Sequence, residues 1–505
     1  MSQSISPEVS SFLTTSYASL RTHISERDTG RPLPAASSLQ SGRSSLASTL
    51  PTTGLGREAT VKHLLADLAP GLNNASLSSR YFGFVVGGVL PVAEAADNIV
   101  SALDQNVATH LPGDSIATDV EDAALKLLID LLNLGKAEDW PSRLFTTGAT
   151  GSNIVALVCG REAVIAHRLA AVGKGETTTV AKAGLLGACM EAGVRRVQVL
   201  TSGGHSSLVK AASVVGIGHD EVKELGLSKE ESWRLDLDAV ERELEKGEAE
   251  GTVSIISVSA GEVNTGRFAT NALDMPKLRS LADKFGAWVH VDGAFGIFAR
   301  VLPESEQYNI LRAQTAGLEL ADSITVDGHK ILNVPYDTGI FLSRHPTINS
   351  QAFSNPNAAY LATSATATIQ SPLNIGLENS RRFRALPTYA ALVSEGRTGV
   401  THMVERMVAL ARRIAAFVRD SPDYEFLPDP AASVESTFII VLFRARDRAA
   451  NGELVGRINA SGLMYVSPTA WEGEKAVRLA VSNWRVDVER DFEVVRGVLE
   501  AVVKA

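Results

Sequence analysis

The chain predicts an α/β protein: a large domain built on a mainly parallel sheet wrapped by helices, followed by a smaller α+β domain. Three observations carry this. From Arg195 onward, β-branched apolar runs alternate with helical patterns: strands at 197–200, 253–258, 288–291 and 324–326, helices at 206–215 and 275–285. That alternation is the signature of βαβ crossovers. The short polar turns carrying reactive side chains all fall at the carboxyl ends of these strands, where parallel sheets bind ligands. Beyond residue 396 the character changes to apolar runs at 437–443 and 476–482, with helical stretches at 451–460 and 488–503, which predicts antiparallel pairing. The expected division is 1–78 as an N-terminal arm with helices, 79–395 as the large domain and 396–505 as the small one.

With 505 residues, 45% hydrophobic and 21% charged, the chain is long enough for two or three domains with sizeable cores. Its net charge is −9, from 48 basic and 57 acidic residues, without a long basic block. Nucleic acid or an anionic membrane is therefore excluded as the main partner. The two cysteines, Cys159 and Cys189, lie in apolar helical patterns, so no disulfide framework is expected, and no His/Cys spacing suggests a structural metal. Residues 1–48 are Ser/Thr-rich and lack the apolar core of a secretory signal. No apolar run reaches the roughly 20 residues that span a bilayer, and the expected location is the cytoplasm.

Taken in order, residues 5–27 have helical apolar spacing (Ile5, Val9, Phe12, Leu13, Tyr17, Leu20, Ile24) and need something to dock on. Residues 30–53, rich in Pro, Ser and Gly, predict a linker or extended arm, and a second helix is expected over 56–68. Ser79-Arg-Tyr-Phe-Gly-Phe-Val-Val-Gly-Gly-Val-Leu-Pro91 is aromatic and glycine-rich, an apolar turn in the core or a loop lining a pocket; composition does not choose. Residues 119–134 form an amphipathic helix. Leu144-Phe-Thr-Thr-Gly-Ala-Thr-Gly-Ser-Asn-Ile-Val-Ala-Leu157 then gives a strand, a small-residue turn and a helix start. Free backbone N–H groups at Ala149, Thr150 and Gly151 suit a phosphate, and without a closing Gly-Lys-Ser/Thr it is not a Walker loop.

The reactive residues lie further on. Ser323-Ile-Thr-Val-Asp-Gly-His-Lys330 delivers a His-Lys pair onto a polar turn, and the apolar run Gly339-Ile-Phe-Leu342 follows. Lys330 at this strand end is either a solvated charge or a buried amine suited to Schiff-base chemistry. Its neighbours favour the second. Trp288-Val-His-Val-Asp-Gly-Ala-Phe-Gly296 is a hydrophobic strand ending in Asp292, with small residues either side of Phe295, so that a flat ligand can approach the backbone. A carboxylate at one strand end, a lysine on the next strand and a phosphate cup upstream are the parts that pyridoxal phosphate requires.

His-Val-Asp-Gly-Ala-Phe-Gly followed by Asp-Gly-His-Lys resembles the group II pyridoxal-phosphate-dependent decarboxylases, the family of aromatic amino acid, glutamate and histidine decarboxylases, over roughly residues 57–505. The resemblance implies fold type I of the pyridoxal-phosphate-dependent transferases, with a seven-stranded sheet, and a homodimer whose active site lies at the subunit interface. It implies that Lys330 carries the cofactor covalently and that Asp292 pairs with the pyridinium nitrogen. His205, in Gly-Gly-His-Ser-Ser207, stacks on the ring, with Ala294 on the other face. Gly148, Ala149, Thr150 and Ser152 form the phosphate cup, and His329 faces the phosphate or the reacting carboxylate. Tyr360 resembles a loop tyrosine that reaches across the interface and protonates the substrate carbon once carbon dioxide has left. Ser380, in Asn379-Ser-Arg-Arg382, resembles a segment near the neighbouring subunit's phosphate; the basic run there also fits a solvated face.

Three departures stand out. Ser259-Ala-Gly-Glu-Val-Asn-Thr-Gly-Arg267 stands where better-known members have Gly-Thr-Thr, so Asn264 or Thr265 is the candidate to bond the cofactor's ring hydroxyl or the substrate, while Glu262 equally fits a solvated loop charge. Asp327-Gly328 replaces Asn-Pro, and Phe84-Val85-Val86 replaces an aromatic pair before proline. The function implied is decarboxylation of an L-amino acid, aromatic or apolar, to the amine and carbon dioxide. Carbon–carbon lyase and aldehyde-synthase chemistry are the nearest competitors, with Tyr360 favouring plain decarboxylation, and an aminotransferase matches less well. A catalytically silent binding protein on the same fold is the non-enzyme alternative, disfavoured by the presence of Lys330, Asp292 and His205 together.

Overall fold

The computed structural model describes residues 6–355 and 369–504. The first short strand, β1 (Tyr81–Phe82), belongs to the smaller sheet. The chain then enters the larger one with β2 (Ser142–Thr146), β3 (Arg196–Thr201), β4 (Val222–Glu224), β5 (Thr252–Ser259), β6 (Trp288–Asp292), β7 (Ser323–Asp327) and β8 (Gly339–Ser343). Their spatial order is β2-β8-β7-β6-β5-β3-β4, the seven-stranded sheet expected of fold type I. Strands β4, β3, β5, β6 and β7 are parallel, whereas β8 runs antiparallel to both β7 and β2. The connection from Asp327 to Gly339 is too short for a crossover helix, so the chain has to return antiparallel.

Side chains alternate between the two faces of this sheet. Val199, Ile255 and Phe341 enter a core shared with the helix Ala149–Ala171. Leu200, Ile256, Ile340 and Leu342 enter the larger core on the other side. Both faces being buried, the strands read as continuous apolar runs, which is why the sequence reveals them.

The smaller sheet is β1-β11-β12-β10-β9, from β9 (Tyr424–Leu427), β10 (Ile440–Ala445), β11 (Tyr465–Trp471) and β12 (Glu474–Ala480). Strands β9 to β12 pair antiparallel. Strand β1 joins the edge in parallel with β11, and the Tyr81 and Tyr465 rings stack there with centroids 4.8 Å apart. The helices Arg448–Ala460 and Val488–Val502 cover this sheet close to their expected positions.

The N-terminal helix runs over Pro7–Glu26 as expected, and helix Arg57–His63 continues into an irregular turn to Leu68. The stretch 30–53 is not wholly extended: it contains the helix Ala36–Ser45. There the serine hydroxyls, which ordinarily compete with helix formation, turn back onto helix carbonyls, Ser44 Oγ on Gln40 O at 3.0 Å and Ser45 Oγ on Gly42 O at 2.8 Å. A long helix spans Ala385–Asp420 with a break at Gly396, whose φ is 58°. Among the described residues, no helix is long and apolar enough to cross a membrane.

The basic run before that helix is structural. Arg381, with its side chain 1% exposed, bridges Glu121 at 3.0 Å and donates to the carbonyls of Val107 and Phe145. Arg382 pairs with Asp97 and Arg384 with Glu378 and Asp337. The basic run is therefore a solvated face only in part: the buried Arg381–Glu121 pair ties the segment before helix Ala385–Asp420 to the helix Ala117–Leu131, while the Arg382–Asp97 pair is partly exposed.

Candidate active site

A cavity of about 450 Å³ opens at the carboxyl ends of β5, β6 and β7, beside the N-terminus of helix Ala149–Ala171. Lys330 emerges from the turn after β7. Its Nζ lies 2.9 Å from Asp327 Oδ2 and 5.9 Å from the centre of the Phe295 ring. Asp327, 2% exposed, uses its other oxygen to accept from the Ala149 N–H at 2.7 Å. The first turn of a helix leaves its N–H groups unpaired, and the amides of Thr150 and Gly151 donate to no acceptor among the described residues.

Asp292 ends β6 and is the terminus of a buried relay of donors. Trp288 Nε1 donates to Ser323 Oγ at 3.0 Å, and Ser323 Oγ sits 2.9 Å from His290 Nδ1. His290 Nε2 lies 3.1 Å from Asn153 Oδ1, and Asn153 Nδ2 donates to Asp292 Oδ2 at 2.9 Å and to Ser207 Oγ at 3.2 Å. Since Asn153 presents its oxygen to His290, Nε2 carries the imidazole proton and Nδ1 accepts from the Ser323 hydroxyl. Full burial pushes His290 down to about 4, so the ring is neutral and the whole relay points its donors at one carboxylate. The second oxygen of Asp292 accepts from the Ala294 N–H at 3.2 Å.

His205 caps helix Ser206–Val214 at the end of β3. Its Nδ1 accepts from the Ser207 N–H at 3.1 Å and lies 2.7 Å from Ser207 Oγ, leaving the proton on Nε2. Burial lowers its pKa, opposed by Asp292, so the ring is a flat neutral surface. His329 is also driven toward its neutral form by burial; its Nδ1 accepts from the Thr338 N–H at 3.3 Å, and its ring packs 5.1 Å from that of Tyr336.

The far wall comes from distant parts of the chain. The glycine-rich segment after Ser79 is both things its composition allowed: Phe82, Val85 and Val86 are buried in the core, while Phe84 is 63% exposed and, with Val85, lines the cavity. Gly87 passes so close to the lysine turn that a Cβ there would sit 2.1 Å from Lys330 O. Asn333, fully buried with φ 55°, ties the assembly together. Its Oδ1 accepts from Gly88 N at 2.5 Å and Trp484 N at 3.0 Å, and its Nδ2 donates to Ser482 O at 3.1 Å. Arg478 of β12, 5% exposed, reaches the cavity from below, donating to Phe84 O at 2.7 Å and to Val263 O. Burial draws this guanidinium down to about 10, against the pull of Glu262. Its Nη2 donates to no acceptor among the described residues.

Of the residues singled out from the sequence, Gly148, Ala149, Thr150, His205, Asp292, Ala294, His329 and Lys330 line this one cavity. Ser152, Asn264, Thr265 and Ser380 do not line it. Ser152 turns into the sheet, its hydroxyl 2.7 Å from Thr146 Oγ1 and donating to Ile340 O at 3.1 Å. Asn264 is taken by Thr469, whose hydroxyl donates to its Oδ1 at 2.7 Å, and Glu262 is no solvated charge but caps the Asn264 and Thr265 amides at 2.9 and 2.8 Å. Ser380 lies in a separate cleft beside Val100 and Asp104. Tyr360 lies outside the described residues. Sequence reasoning missed Asn153, Asp327 as a partner of Lys330, and Arg478 as a cavity residue. An asparagine one position past the helix-start serine, inside an apolar helix, was the available signal for the first.

Residues 93–446 match the pyridoxal-dependent decarboxylase conserved domain. Among relatives, the L-2,4-diaminobutyrate decarboxylase of Acinetobacter baumannii is 28% identical over 320 residues, 63% of this chain and 58% of that protein's own length. Tryptophan decarboxylase 1 of Oryza sativa subsp. japonica is 26% identical over 450 residues, 86% of this chain and 82% of the relative. A crystal structure of Oryza sativa TDC with PLP and tryptamine superposes with a TM-score of 0.80 at 23% identity, covering 100% of this chain and 99% of that one, a likeness of fold. With the domain match extending from the helix after Pro91 into the small domain, the chain belongs to the pyridoxal-dependent decarboxylase family, whose cofactor is pyridoxal phosphate.

Proposed function

We propose that this chain decarboxylates an L-amino acid with an apolar or aromatic side chain, releasing the amine and carbon dioxide. The observation that carries the substrate class is the cavity wall. Phe84, Val85, Val263 and Phe295 line it, and among the described lining residues the only carboxylates are Asp292 and Asp327, both already held by backbone or side-chain donors. A basic or acidic substrate side chain would find no unspent counter-charge there except Arg478.

The donor set fits the cofactor: a carboxylate fed by the Asn153 relay for the ring nitrogen, a primary amine at Lys330, a flat imidazole at His205, and the unspent amides of Thr150 and Gly151 for the phosphate. When bound, pyridoxal phosphate supplies the electron sink that accepts the electrons released at the α-carbon. In this reading Asp292, oriented by the bonds it accepts from Asn153 Nδ2 and Ala294 N, would pair with the ring nitrogen. His205 and Ala294 confine the ring plane. Arg478, anchored through two of its nitrogens on backbone carbonyls, turns the third toward the substrate carboxylate and so orients the bond to be broken. Tyr360 is the proposed donor of the proton that replaces carbon dioxide.

Incubating the cofactor-loaded protein with each of the twenty amino acids, while following carbon dioxide, amine, aldehyde and hydrogen peroxide, tests this directly. Amine and carbon dioxide in equal amounts from an aromatic or aliphatic substrate are expected; aldehyde with peroxide as the main products, or a preference for aspartate or diaminobutyrate, would sink the reading. Arg478→Met is expected to raise KM by about tenfold or more, as loss of a charged hydrogen bond does, with bound-cofactor absorbance unchanged. An unaltered KM would remove Arg478 from substrate binding. The same reading includes a homodimer in the cytoplasm, and a mass of one chain in solution by light scattering would remove the dimer.

A further inference from the structure

We propose that Asp327 competes with the cofactor's phosphate for the helix start, making cofactor loading weak and reversible in this protein. The inference rests on three contacts. Asp327 is 2% exposed, and its Oδ1 already occupies the Ala149 N–H at 2.7 Å. That amide belongs to the same first turn whose N–H groups are the natural seat of a phosphate. Its Oδ2 holds the Lys330 ammonium at 2.9 Å, so the one lysine among the described lining residues is paired within the chain itself. His329 Nε2 stands 3.7 Å from Oδ1. Burial driving His329 toward its neutral form leaves it little charge to offset the carboxylate.

The electrostatics follow. A phosphate seated on the amides of Thr150 and Gly151 would lie within a few ångströms of a buried carboxylate that carries the same sign of charge. Like charges about 4 Å apart at the effective dielectric of a partly buried site repel strongly enough to weaken binding by at least about tenfold. The groups facing Asp327 are Lys330 and His329 at short range and Tyr336 and His205 further off. Arg478, the remaining lining cation, is engaged with Phe84 and Val263. Among the described lining residues, the cations in ion-pair reach of Asp327 are Lys330 and His329; no salt bridge joins Arg478 to it. In the absence of cofactor, the same carboxylate satisfies the Ala149 amide and the lysine together. Cofactor supply then sets the active fraction of the protein.

An amide at this position keeps an oxygen for the Ala149 N–H, removes the negative charge and offers a donor to phosphate. The test compares wild type with Asp327→Asn by equilibrium titration of the cofactor-free proteins with pyridoxal phosphate and with pyridoxal, followed by absorbance. The variant is expected to bind pyridoxal phosphate about tenfold tighter or better, with no comparable gain for pyridoxal. A second measurement needs no variant: inorganic phosphate at millimolar concentration is expected to leave the melting temperature of cofactor-free wild type unchanged, and to raise that of Asp327→Asn. Equal or weaker binding of pyridoxal phosphate by the variant, an equal gain for pyridoxal, or a clear phosphate-induced rise in the wild-type melting temperature would each overturn the proposal. Failure of both proteins to take up pyridoxal phosphate would overturn the cofactor assignment, and this inference with it.

Discussion

Lys330→Ala is expected to abolish the visible absorbance of lysine-bound cofactor and to lower decarboxylation by about a thousandfold or more, because the covalent anchor and the amine that releases product are one group. The side chain sits 21% exposed in the cavity, paired with Asp327, and its removal leaves no lysine among the described lining residues to substitute for it. Circular dichroism should show the fold unchanged, since the loss exposes a carboxylate to an open cavity rather than to a packed core. Retention of the absorbance band in the variant would mean that another amine carries the cofactor, and the lysine assignment would fail.

Asp292→Asn should cost about a hundred- to a thousandfold in kcat while leaving cofactor bound, the range seen when one preorganised electrostatic partner of a developing charge is removed. The relay explains why an amide is a poor replacement despite its shape. Trp288, Ser323, His290 and Asn153 are arranged so that each donates toward Asp292, and this donor chain has no use for a second donor at its end. The substituted amide would set its own N–H₂ against either Asn153 Nδ2 or Ala294 N, at the cost of an unsatisfied buried group. The ring nitrogen would lose its counter-charge at the same time. A rate within tenfold of wild type would show that this carboxylate does not support the ring nitrogen.

What the sequence made legible follows the physics of burial. Strands β3, β5, β6 and β7 were readable because both faces are buried and their apolar runs are continuous. Strands β9 and β11 were not; β11 is half exposed, with Pro468 and Ala470 open to solvent along its length. Lys330, Asp292 and His205 were readable because each follows an apolar strand abruptly, where parallel sheets expose their ends. The direction of Ser152 was not legible, because composition places a hydroxyl at a helix start without saying which way it faces, and Thr146 and Ile340 bond it from the sheet side. Ser380 was expected near the neighbouring subunit's phosphate from its resemblance to the family segment; within this chain the arginine after it, Arg381, is consumed by Glu121. Asn153 and Arg478 were hidden for the opposite reason: each sits in an element that reads as ordinary core, and its bond to Asp292 or Phe84 spans 139 or 394 residues.

That last separation bears on how the protein is made. The bond from Arg478 to Phe84 and the one from Ser482 to Val86 join an early loop to β12 and the residues just after it. During synthesis, the seven-stranded sheet, Lys330, Asp292 and the helix start all emerge well before that strand exists. Such an intermediate carries the reactive amine and a cofactor cradle but has one side open to water, with Phe84 and Val85 unsupported. Long-range closures of this kind form late and slowly. The wall that Phe84 and Val85 give the cavity therefore depends on the last strand of the chain, and loss of the segment from β12 onward removes the Arg478 and Ser482 contacts that hold it.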